Sequence, residues 1–342
     1  MITSFPNLYS DELLYSLFAR YHAQSGHIAY VFAAEDLFER RATKPDIEFV
    51  DRLTPDALQL ITRDMPIETV IEKHTMFPYC ARFLSRDRRR QAMALIVQMD
   101  QRYHNLLYLT KRKTIMRYLR YCLLCAMEDR ERYGETYWHR SHQMTGVDIC
   151  PKHHCFLQNS MVQISSKPSP SLDCAEEYVP LVGDIVYCDD LRVCRIAEYV
   201  HTVFQSPVDM DSDIPVGRFF HSKIEYTKYV SPRGEQRNMA LLFKDFSKRF
   251  GSAPGNTIDA QWKLQKMFSS DRLSTYEVCL VAIFLGVEPN ELVRMTLPTK
   301  SQPEWFDEKI RTLHSQGLKY PEIARIVGAP YDVVKAVGEG RY

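Results

Sequence analysis

Four side chains with metal-ligating chemistry stand in two matched pairs near the middle of the sequence. Cys122 and Cys125 are separated by two residues, and Cys150 and His153 follow after a gap of twenty-four residues with the same two-residue spacing. Two intervening residues allow both side chains of a tight turn to converge on one ion, and thiolate and imidazole donors suit tetrahedral Zn²⁺. Four protein ligands leave no open position for a catalytic water, so the pattern predicts one structural zinc ion.

Other cysteines and histidines near these pairs form weaker patterns. His154 and Cys155 directly follow His153 and could replace it as the fourth ligand, but the Cys-x-x-His spacing favours His153. His139 and His142 lie three residues apart and could form half of a second metal site. Because no matching pair is nearby, we expect a hydrogen-bonded, partly exposed pair instead. The remaining cysteines lack paired spacing and are predicted to be structural or core residues: Cys80, Cys174, Cys188, Cys194 and Cys279.

The sequence lacks the patterns that the nearest classes of zinc or nucleotide enzyme require. A zinc deaminase needs a glutamate two residues after a histidine, upstream of Cys-x-x-Cys, and none of the 11 histidines has a glutamate at that position. A Gly-x-x-x-x-Gly-Lys-Ser/Thr loop for nucleotide phosphates is also absent, since Gly317 and Gly328 near Lys319 do not have that spacing. We therefore predict that the protein is not an enzyme.

The overall composition is that of an ordinary globular protein without a global charge bias. The chain has 342 residues, of which 45% are hydrophobic and 25% charged, and its formal net charge is +1. Any nucleic-acid binding would have to come from local basic patches, such as residues 86–90 and 111–113. Residues 1–13 lack a secretory signal pattern, and the longest apolar run, 278–287, is too short to cross a bilayer. We expect reduced thiols and a cytoplasmic location.

Low glycine content and long stretches without glycine or proline favour a mostly α, multi-domain fold. A polar start at Ser10, Asp11 and Glu12 predicts a capped first helix, and the apolar spacing predicts that the longest helix of the N-terminal part spans 87–107. A Ser- and Pro-rich linker is predicted at 165–171. The predicted parts are an N-terminal helical domain at 1–115, a zinc-finger module at 116–165, a second helical domain at 166–300 and a helix-turn-helix unit at 301–342.

The C-terminal part of the sequence has the signals of short, well-delimited helices. In the second helical domain, apolar spacing predicts helices at 240–250, 276–285 and 290–295. In the last segment, a first helix follows Pro303 and ends at Gly317, a second begins with Pro321 and ends at Gly328, and a third begins with Pro330. Three short helices with a glycine-bearing turn are typical of a helix-turn-helix unit, whose recognition helix would span 330–337.

A set of motifs lies in the first half of the chain, at Phe5-Pro6 with Tyr9 to Ser16, at His74 to Tyr79, and most specifically at Arg117 to Cys125, Arg132 to Glu135, Tyr137 to Arg140 and Cys150 to His153. In these stretches the chain resembles the TniQ/TnsD family of target-selection proteins from Tn-seven-type transposons, closer to the TnsD branch. Trp262 and Phe284 to Gly286 resemble weaker downstream features. The zinc ligands of the family carry over to Cys122, Cys125, Cys150 and His153.

This resemblance implies a function that the residue spacing alone does not show. A member of the family binds a double-stranded DNA attachment site, recruits an AAA+ ATPase regulator of the TnsC type, and leaves DNA cleavage to separate transposase subunits. The protein would then be bacterial, work on the nucleoid during transposition, and have no membrane partner. The near-neutral net charge also fits an alternative, a protein-only adaptor that docks to an RNA-guided CRISPR effector complex. Some relatives carry a second cysteine-rich knuckle, and its absence here counts against that RNA-guided branch.

Two surfaces are predicted for these partners. Helix-turn-helix proteins read bases with a recognition helix and use lysine and arginine on phosphates. The aromatic residues Tyr9, Tyr15 and Phe18 of the first helical segment are the predicted docking surface for the ATPase. On the recognition helix, Tyr331 and Lys335 are predicted to face the DNA, and Lys319 and Arg325 are predicted to contact the DNA backbone. The secondary candidates for DNA contact are Arg233, Arg237, Arg89 and Arg90.

Overall fold

The protein is mostly helical, as the sequence predicts. The computed structural model describes residues 2, 4–107, 117–164, 170–225, 227–230, 237–270, 272–297, 304–329 and 331–340. Its contacts divide the chain into two compact units, the first containing residues 1–212 and 274–276 and the second containing residues 213–273 and 277–342. The predicted boundaries at 115, 165 and 300 remain predictions. Among the described residues, every helix is too short or too polar to cross a membrane.

The first unit combines helices with one small antiparallel sheet. Its two strands pair Tyr118 with Gln163 and Tyr121 with Gln158, with an irregularity between Tyr118 and Arg120. In chain order the elements are α1 (Leu14–Gln24), α2 (Tyr30–Leu37), α3 (Pro55–Ile61), α4 (Ile67–His74), α5 (Phe77–Ala81), α6 (Arg86–Val97), β1 (Tyr118–Tyr121), α7 (Leu123–Tyr133), β2 (Gln158–Gln163), α8 (Ala175–Tyr178) and α9 (Leu191–Gln205).

The regular elements among the described residues of the second unit are all helices. Its elements are α10 (Val216–Ile224), α11 (Met239–Phe250), α12 (Gln261–Lys266), α13 (Thr275–Phe284, which begins within the first unit), α14 (Pro289–Arg294), α15 (Glu304–Ser315), α16 (Tyr320–Val327) and α17 (Tyr331–Gly338). Helices α11, α13 and α14 confirm the helices predicted at 240–250, 276–285 and 290–295 to within a residue or two. The linker residues 165–169 lie outside the described residues.

The start of α1 differs from its prediction. The helix begins at Leu14, and its N-cap residue Leu13 makes no side-chain cap. Asp11 has a positive φ of 57°, and its carboxylate accepts a hydrogen bond from the backbone of Ser141 at 3.1 Å. Glu12 instead accepts a hydrogen bond from Arg20, 3.0 Å away. Asp11, one of the predicted cap residues, and Glu12, an acidic residue predicted in the first turn, are therefore used in tertiary contacts.

The predicted length of the helix at 87–107 is also wrong. Helix α6 ends at Val97, Met99 adopts the left-handed region with φ 54°, and residues 101–105 form a short 3-10 helix. Leu107 is fully buried beyond that 3-10 helix. The apolar residues that suggested one continuous helix thus reach the core from two separate pieces of chain.

The core of the first unit joins the N-terminal helices to the cysteine-bearing segment. Trp138 is fully buried, and its indole nitrogen donates to the Asp173 carbonyl at 2.8 Å. The backbone around it pairs with the start of α1, since the Leu13 N–H donates to the Trp138 carbonyl at 2.9 Å. The segment that carries the cysteine pairs therefore shares a core with the helices before it, which fixes its position in the unit.

Helices α15, α16 and α17 close a small core of their own. Phe306 and Ile310 of α15, Ile323 and Val327 of α16, and Val334 of α17 are all buried in one cluster. A left-handed Gly328 with φ 70° ends α16, because its N–H can bond back to the Ala324 carbonyl in that conformation. The next described helix, α17, begins at Tyr331, and the helix-turn-helix interpretation of these helices remains a prediction.

Candidate metal centre

The four predicted ligands come together because two local turns face each other. Cys122 follows β1 and stands just before α7, and Cys125 lies in the first turn of that helix. Cys150 and His153 lie on a tight knuckle, closed by hydrogen bonds from the Cys150 N–H to the Cys155 carbonyl at 2.8 Å and from the His154 N–H to the Cys150 carbonyl at 2.9 Å. His154 has a φ of 53°, which lets the chain reverse within this knuckle.

The donor atoms of this set are arranged as the corners of one small polyhedron. The Cys125 and Cys150 sulfurs are 3.7 Å apart, and His153 Nδ1 lies 3.3 Å from Cys125 Sγ. His153 Nδ1 also lies 3.4 Å from Cys122 Sγ, and all four donor atoms are within 4.8 Å of one another. A tetrahedral ion with metal–sulfur bonds of about 2.3 Å would separate two sulfurs by roughly 3.8 Å. The cluster of Cys122, Cys125, Cys150 and His153 can therefore hold a metal ion of that size.

The electrostatics of the cluster also fit a bound cation. The three cysteines are buried, at 1%, 5% and 1% exposure for Cys122, Cys125 and Cys150. Hydrogen bonds from Cys125 and Cys150 lower the pKa of the Cys122 thiol, while donation to Cys122 raises the pKa of Cys125. In the absence of a cation, repulsion between adjacent thiolates opposes a second ionisation. A divalent ion removes that repulsion, so ion binding and loss of thiol protons are coupled.

An outer carboxylate orients the histidine ligand. Glu128 Oε1 is 3.1 Å from His153 Nε2, which leaves Nδ1 directed at the sulfurs, and Lys152 forms an ion pair with the same carboxylate. A carboxylate behind a ligating imidazole fixes its tautomer and its ring orientation. We did not predict Glu128 from the sequence, although it stands three residues after Cys125 and so lies on the same side of α7.

The alternative ligands next to His153 occupy other positions. His154 Nε2 pairs with the Glu198 carboxylate at 2.7 Å, on a different side of the knuckle. Cys155 is buried, and its sulfur lies 3.3 Å from Cys122 Sγ, yet the compact four-donor set does not include it. A thiol in that place can donate a hydrogen bond to the Cys122 thiolate, which makes Cys155 a neighbour of the site.

His139 and His142 do not form half of a second metal site among the described residues. Burial opposes the charged form of His139, but two nearby carboxylates outweigh this effect and raise the pKa of His139. Asp129 Oδ2 lies 2.8 Å from His139 Nε2, and Asp11 Oδ2 lies 4.0 Å from His139 Nδ1. His142 is buried rather than partly exposed, and its Nε2 is 3.9 Å from Cys150 Sγ. His139 thus has the expected hydrogen-bonded role.

The structure separates the predicted DNA-contacting residues into three groups. Lys319, Arg325 and Tyr331 are exposed on α16, α17 or the turn before them, and the Lys335 side chain is 43% exposed and 4.0 Å from Glu339. Arg237 is exposed, with its guanidinium carbon 5.2 Å from the centre of the Phe268 ring. Arg233 lies outside the described residues.

Arg89 and Arg90, the two predicted DNA-contacting residues of α6, lie in different environments. Arg89 is 2% exposed, and its guanidinium donates to the carbonyls of Leu84 at 3.0 Å and Ser212 at 2.6 Å. Arg89 is therefore a structural arginine that is not available to DNA, and its prediction is wrong. Arg90 is exposed and forms an ion pair with Asp211. The helical position of Arg89 on the inner face of α6 could have indicated its burial, but the surrounding run of charged residues suggested an exposed position.

The predicted ATPase-docking aromatics are likewise mostly internal. Tyr15 is 1% exposed and its hydroxyl donates to Asp173 Oδ2 at 2.9 Å, and Phe18 is 3% exposed with its ring edge against Phe38. Tyr9 is half-buried, and its ring lies under the Arg20 guanidinium at 3.8 Å. Apolar residues at helical spacing are more often core than interface, and here the core explains Tyr15 and Phe18.

Comparison with known proteins identifies the segment that contains this centre. Residues 3–157 match the TniQ family model. This confirms the family resemblance over the N-terminal part of the chain, including all four candidate ligands. The transposon Tn7 transposition protein TnsD of Escherichia coli is 29% identical over 154 residues, which are 44% of this chain and 30% of that relative. The TniQ match ends four residues after His153, so the similarity covers the metal centre and stops before α8.

Proposed function

We propose that this protein selects the target site in Tn7-type transposition. It binds a double-stranded DNA attachment site and recruits an AAA+ ATPase regulator and transposase subunits, and it is not itself an enzyme. The observation that carries this proposal is the TniQ match over residues 3–157, together with the 29% identity of this chain to a Tn7 transposition protein over 154 residues. The closed set of four candidate ligands supports a role without catalysis, because it leaves a bound ion no position for water.

We propose that the ion is Zn²⁺ and that its role is structural. Three sulfurs and one imidazole nitrogen at tetrahedral spacing are the donors zinc prefers in structural sites. The ion would cross-link β1 and the start of α7 to the knuckle at 150–155. Binding energy at such a site is folding energy, so zinc would hold the segment in the shape that its partners recognise.

DNA recognition is assigned to α16 and α17. In a helix-turn-helix the second helix enters the major groove with its N-terminal residues against base edges, and neighbouring cations contact phosphates. Tyr331, 42% exposed at the start of α17, and Lys335 one turn later occupy the base-facing positions. Lys319 and Arg325 of the α16 region are exposed and serve as phosphate contacts. The buried faces of both helices are fully used in the small core, so only these outer faces can meet DNA.

Fluorescence anisotropy with a labelled attachment-site duplex tests this assignment at two salt concentrations. A protein that neutralises several phosphates releases counterions, so we expect the affinity to fall steeply between 50 and 200 mM salt, by a factor of about ten for every two phosphate contacts. An unrelated duplex of the same length is the control for specificity. Binding that is absent, or that does not change with salt, contradicts the DNA-binding assignment and favours the protein-only adaptor.

A further inference from the structure

An exposed apolar strip covers the outside of the segment that leads into α9. Phe156 is 43% exposed, and Leu181 and Leu191 are 70% and 69% exposed. Single exposed apolar side chains are normal on protein surfaces, whereas a run of them on one short segment marks an interaction site. The strip, called here the Leu181 surface, consists of Phe156, Leu181, Val182, Val186, Tyr187 and Leu191.

The backbone beneath this surface is fixed to the candidate metal centre. The Phe156 N–H donates to the Val186 carbonyl at 2.8 Å, and the Cys188 N–H donates to the His154 carbonyl at 2.8 Å. Ile185 turns inward and packs on the cysteine cluster, while its neighbour Val186 points outward with 59% exposure. The apolar side chains are thus presented by an anchored strand-like segment, which lowers the entropic cost of ordering them on binding.

The charges of this segment identify what can bind there. Between Lys167 and Arg192 the sequence has acidic residues but no lysine, arginine or histidine. Glu177, Asp184 and Asp189 are exposed, while the nearby exposed cations Arg192 and Lys152 are paired with Asp190 and Glu128. Exposed carboxylates repel phosphate groups, so this charge favours a protein over DNA as the occupant. Apolar contacts framed by carboxylates suit a protein segment that carries apolar and basic side chains.

We infer that the Leu181 surface is the docking site for a basic, apolar segment of the AAA+ ATPase regulator, an inference that rests on the proposed function. The surface replaces Tyr15 and Phe18, whose burial removes them from any interface. It lies on the first unit, whereas the DNA contacts are assigned to the second, so one chain can hold both partners through different residues. The metal centre then acts on recruitment indirectly, by anchoring Ile185 and the segment that presents Val186.

Binding of the purified ATPase regulator to the full-length chain, measured by biolayer interferometry, tests this inference. Leu181→Ser combined with Val186→Ser should weaken binding by at least about tenfold, equivalent to about 1.4 kcal/mol. Asp184→Asn combined with Asp189→Asn should weaken it less and should reduce its dependence on salt. The matched control is Ile28→Ser with Phe32→Ser, which removes two exposed apolar side chains from the α1–α2 region and should leave binding unchanged. Binding of the attachment-site duplex should be the same in all of these variants.

The outcomes separate this inference from the proposed function. If the wild-type chain binds the ATPase and the Leu181/Val186 variant binds it within twofold of wild type, the docking site is elsewhere and only this inference fails. If the wild-type chain does not bind the ATPase at all, recruitment fails and the inference fails with it. Sedimentation velocity supplies the remaining test, because self-association of the wild type that Leu181→Ser abolishes would make a second copy the occupant and overturn the inference.

Discussion

Glu128 holds the imidazole of His153 from outside the candidate metal centre, with 3.1 Å between Oε1 and Nε2. This contact leaves His153 Nδ1 facing the sulfurs, 3.3 Å from Cys125 Sγ. A ligand that is held in its binding orientation loses little freedom when the ion arrives, so the carboxylate should contribute to affinity without touching the ion.

Glu128→Gln should therefore weaken zinc binding by roughly 10- to 100-fold while leaving one ion per chain at saturation. The amide keeps the size of the side chain but removes the negative charge behind the imidazole. Competition against a chromophoric chelator measures the effect. Glu131→Gln is the matched control, since Glu131 lies exposed on the same helix. Equal affinities of the two variants would show that Glu128 does not support the ligand.

Cys122→Ser should abolish the ion and melt the segment at 118–157. Elemental analysis should give about one zinc per wild-type chain and much less for the variant, because three donors bind the ion far less tightly than four. Hydrogen exchange should be faster in that segment of the variant. The solubility of the variant should also be lower than that of the wild type. Cys188→Ser, which replaces a half-buried cysteine outside the four-donor set, should keep the ion. A soluble, metal-free Cys122→Ser protein with a native melting curve would remove the structural role of the metal.

Lys335→Ala should weaken binding of the attachment-site duplex without changing the melting temperature. Lys335 is partly exposed on α17, and its distance of 4.0 Å from Glu339 makes a surface pair that adds little to stability. Because Lys335 is assigned to a base-facing position, loss of its contact should cost about 1–3 kcal/mol of binding free energy and relax specificity at one base pair. Lys309→Ala, an exposed lysine on α15, is the control. Unaltered affinity of Lys335→Ala would place α17 outside the interface.

The sequence was most informative where chemistry fixes spacing. Two Cys-x-x-Cys/His pairs converge in the structure because only a short turn can carry both members of a pair, so the four donors could be named before the fold. The break after Val97 could not be predicted, since the apolar positions of 87–107 fit one helix as well as two pieces. Charge runs were equally ambiguous, because Arg88 and Arg90 differ from Arg89 only in the face of α6 on which each lies.

The Leu181 surface escaped prediction for a related reason. Residues 179–190 have neither helical nor alternating periodicity, so nothing in the sequence says which side chains face inward. The direction of Ile185 and Val186 is decided by hydrogen bonds to the knuckle at 154–156, a contact between segments some thirty residues apart. The acidic bias of the segment was visible in the sequence, but it indicates a binding surface only when the neighbouring apolar side chains are known to be exposed.

Arg20→Met should lower the free energy of unfolding by about 3–5 kcal/mol. Arg20 is 2% exposed, and its guanidinium contacts Glu12 at 3.0 Å and Glu135 at 2.8 Å. Methionine fills a similar volume but leaves the fully buried Glu12 carboxylate without its cation. Urea denaturation measures the loss, and Arg20→Met with Glu12→Gln should recover part of it because the unpaired charge is gone. A loss below about 1 kcal/mol, the range of exposed pairs, would contradict a buried network.

His74 should make the protein less stable as the pH falls from about 6.5 to about 4. Burial lowers the pKa of His74 from 6.5 to about 4, and Nδ1 lies 2.9 Å from the Glu12 carbonyl, which the neutral ring satisfies as a donor. In this window the unfolded chain binds a proton that the folded chain does not, so the His74 contribution is complete above pH 6.5 and is lost towards pH 4. The full change is roughly 3 kcal/mol. Denaturation of His74→Gln, subtracted from wild type at each pH, isolates this contribution from other groups that titrate in the same range. A His74→Gln curve parallel to wild type would mean that His74 binds its proton equally readily in the folded and the unfolded chain, which contradicts this prediction.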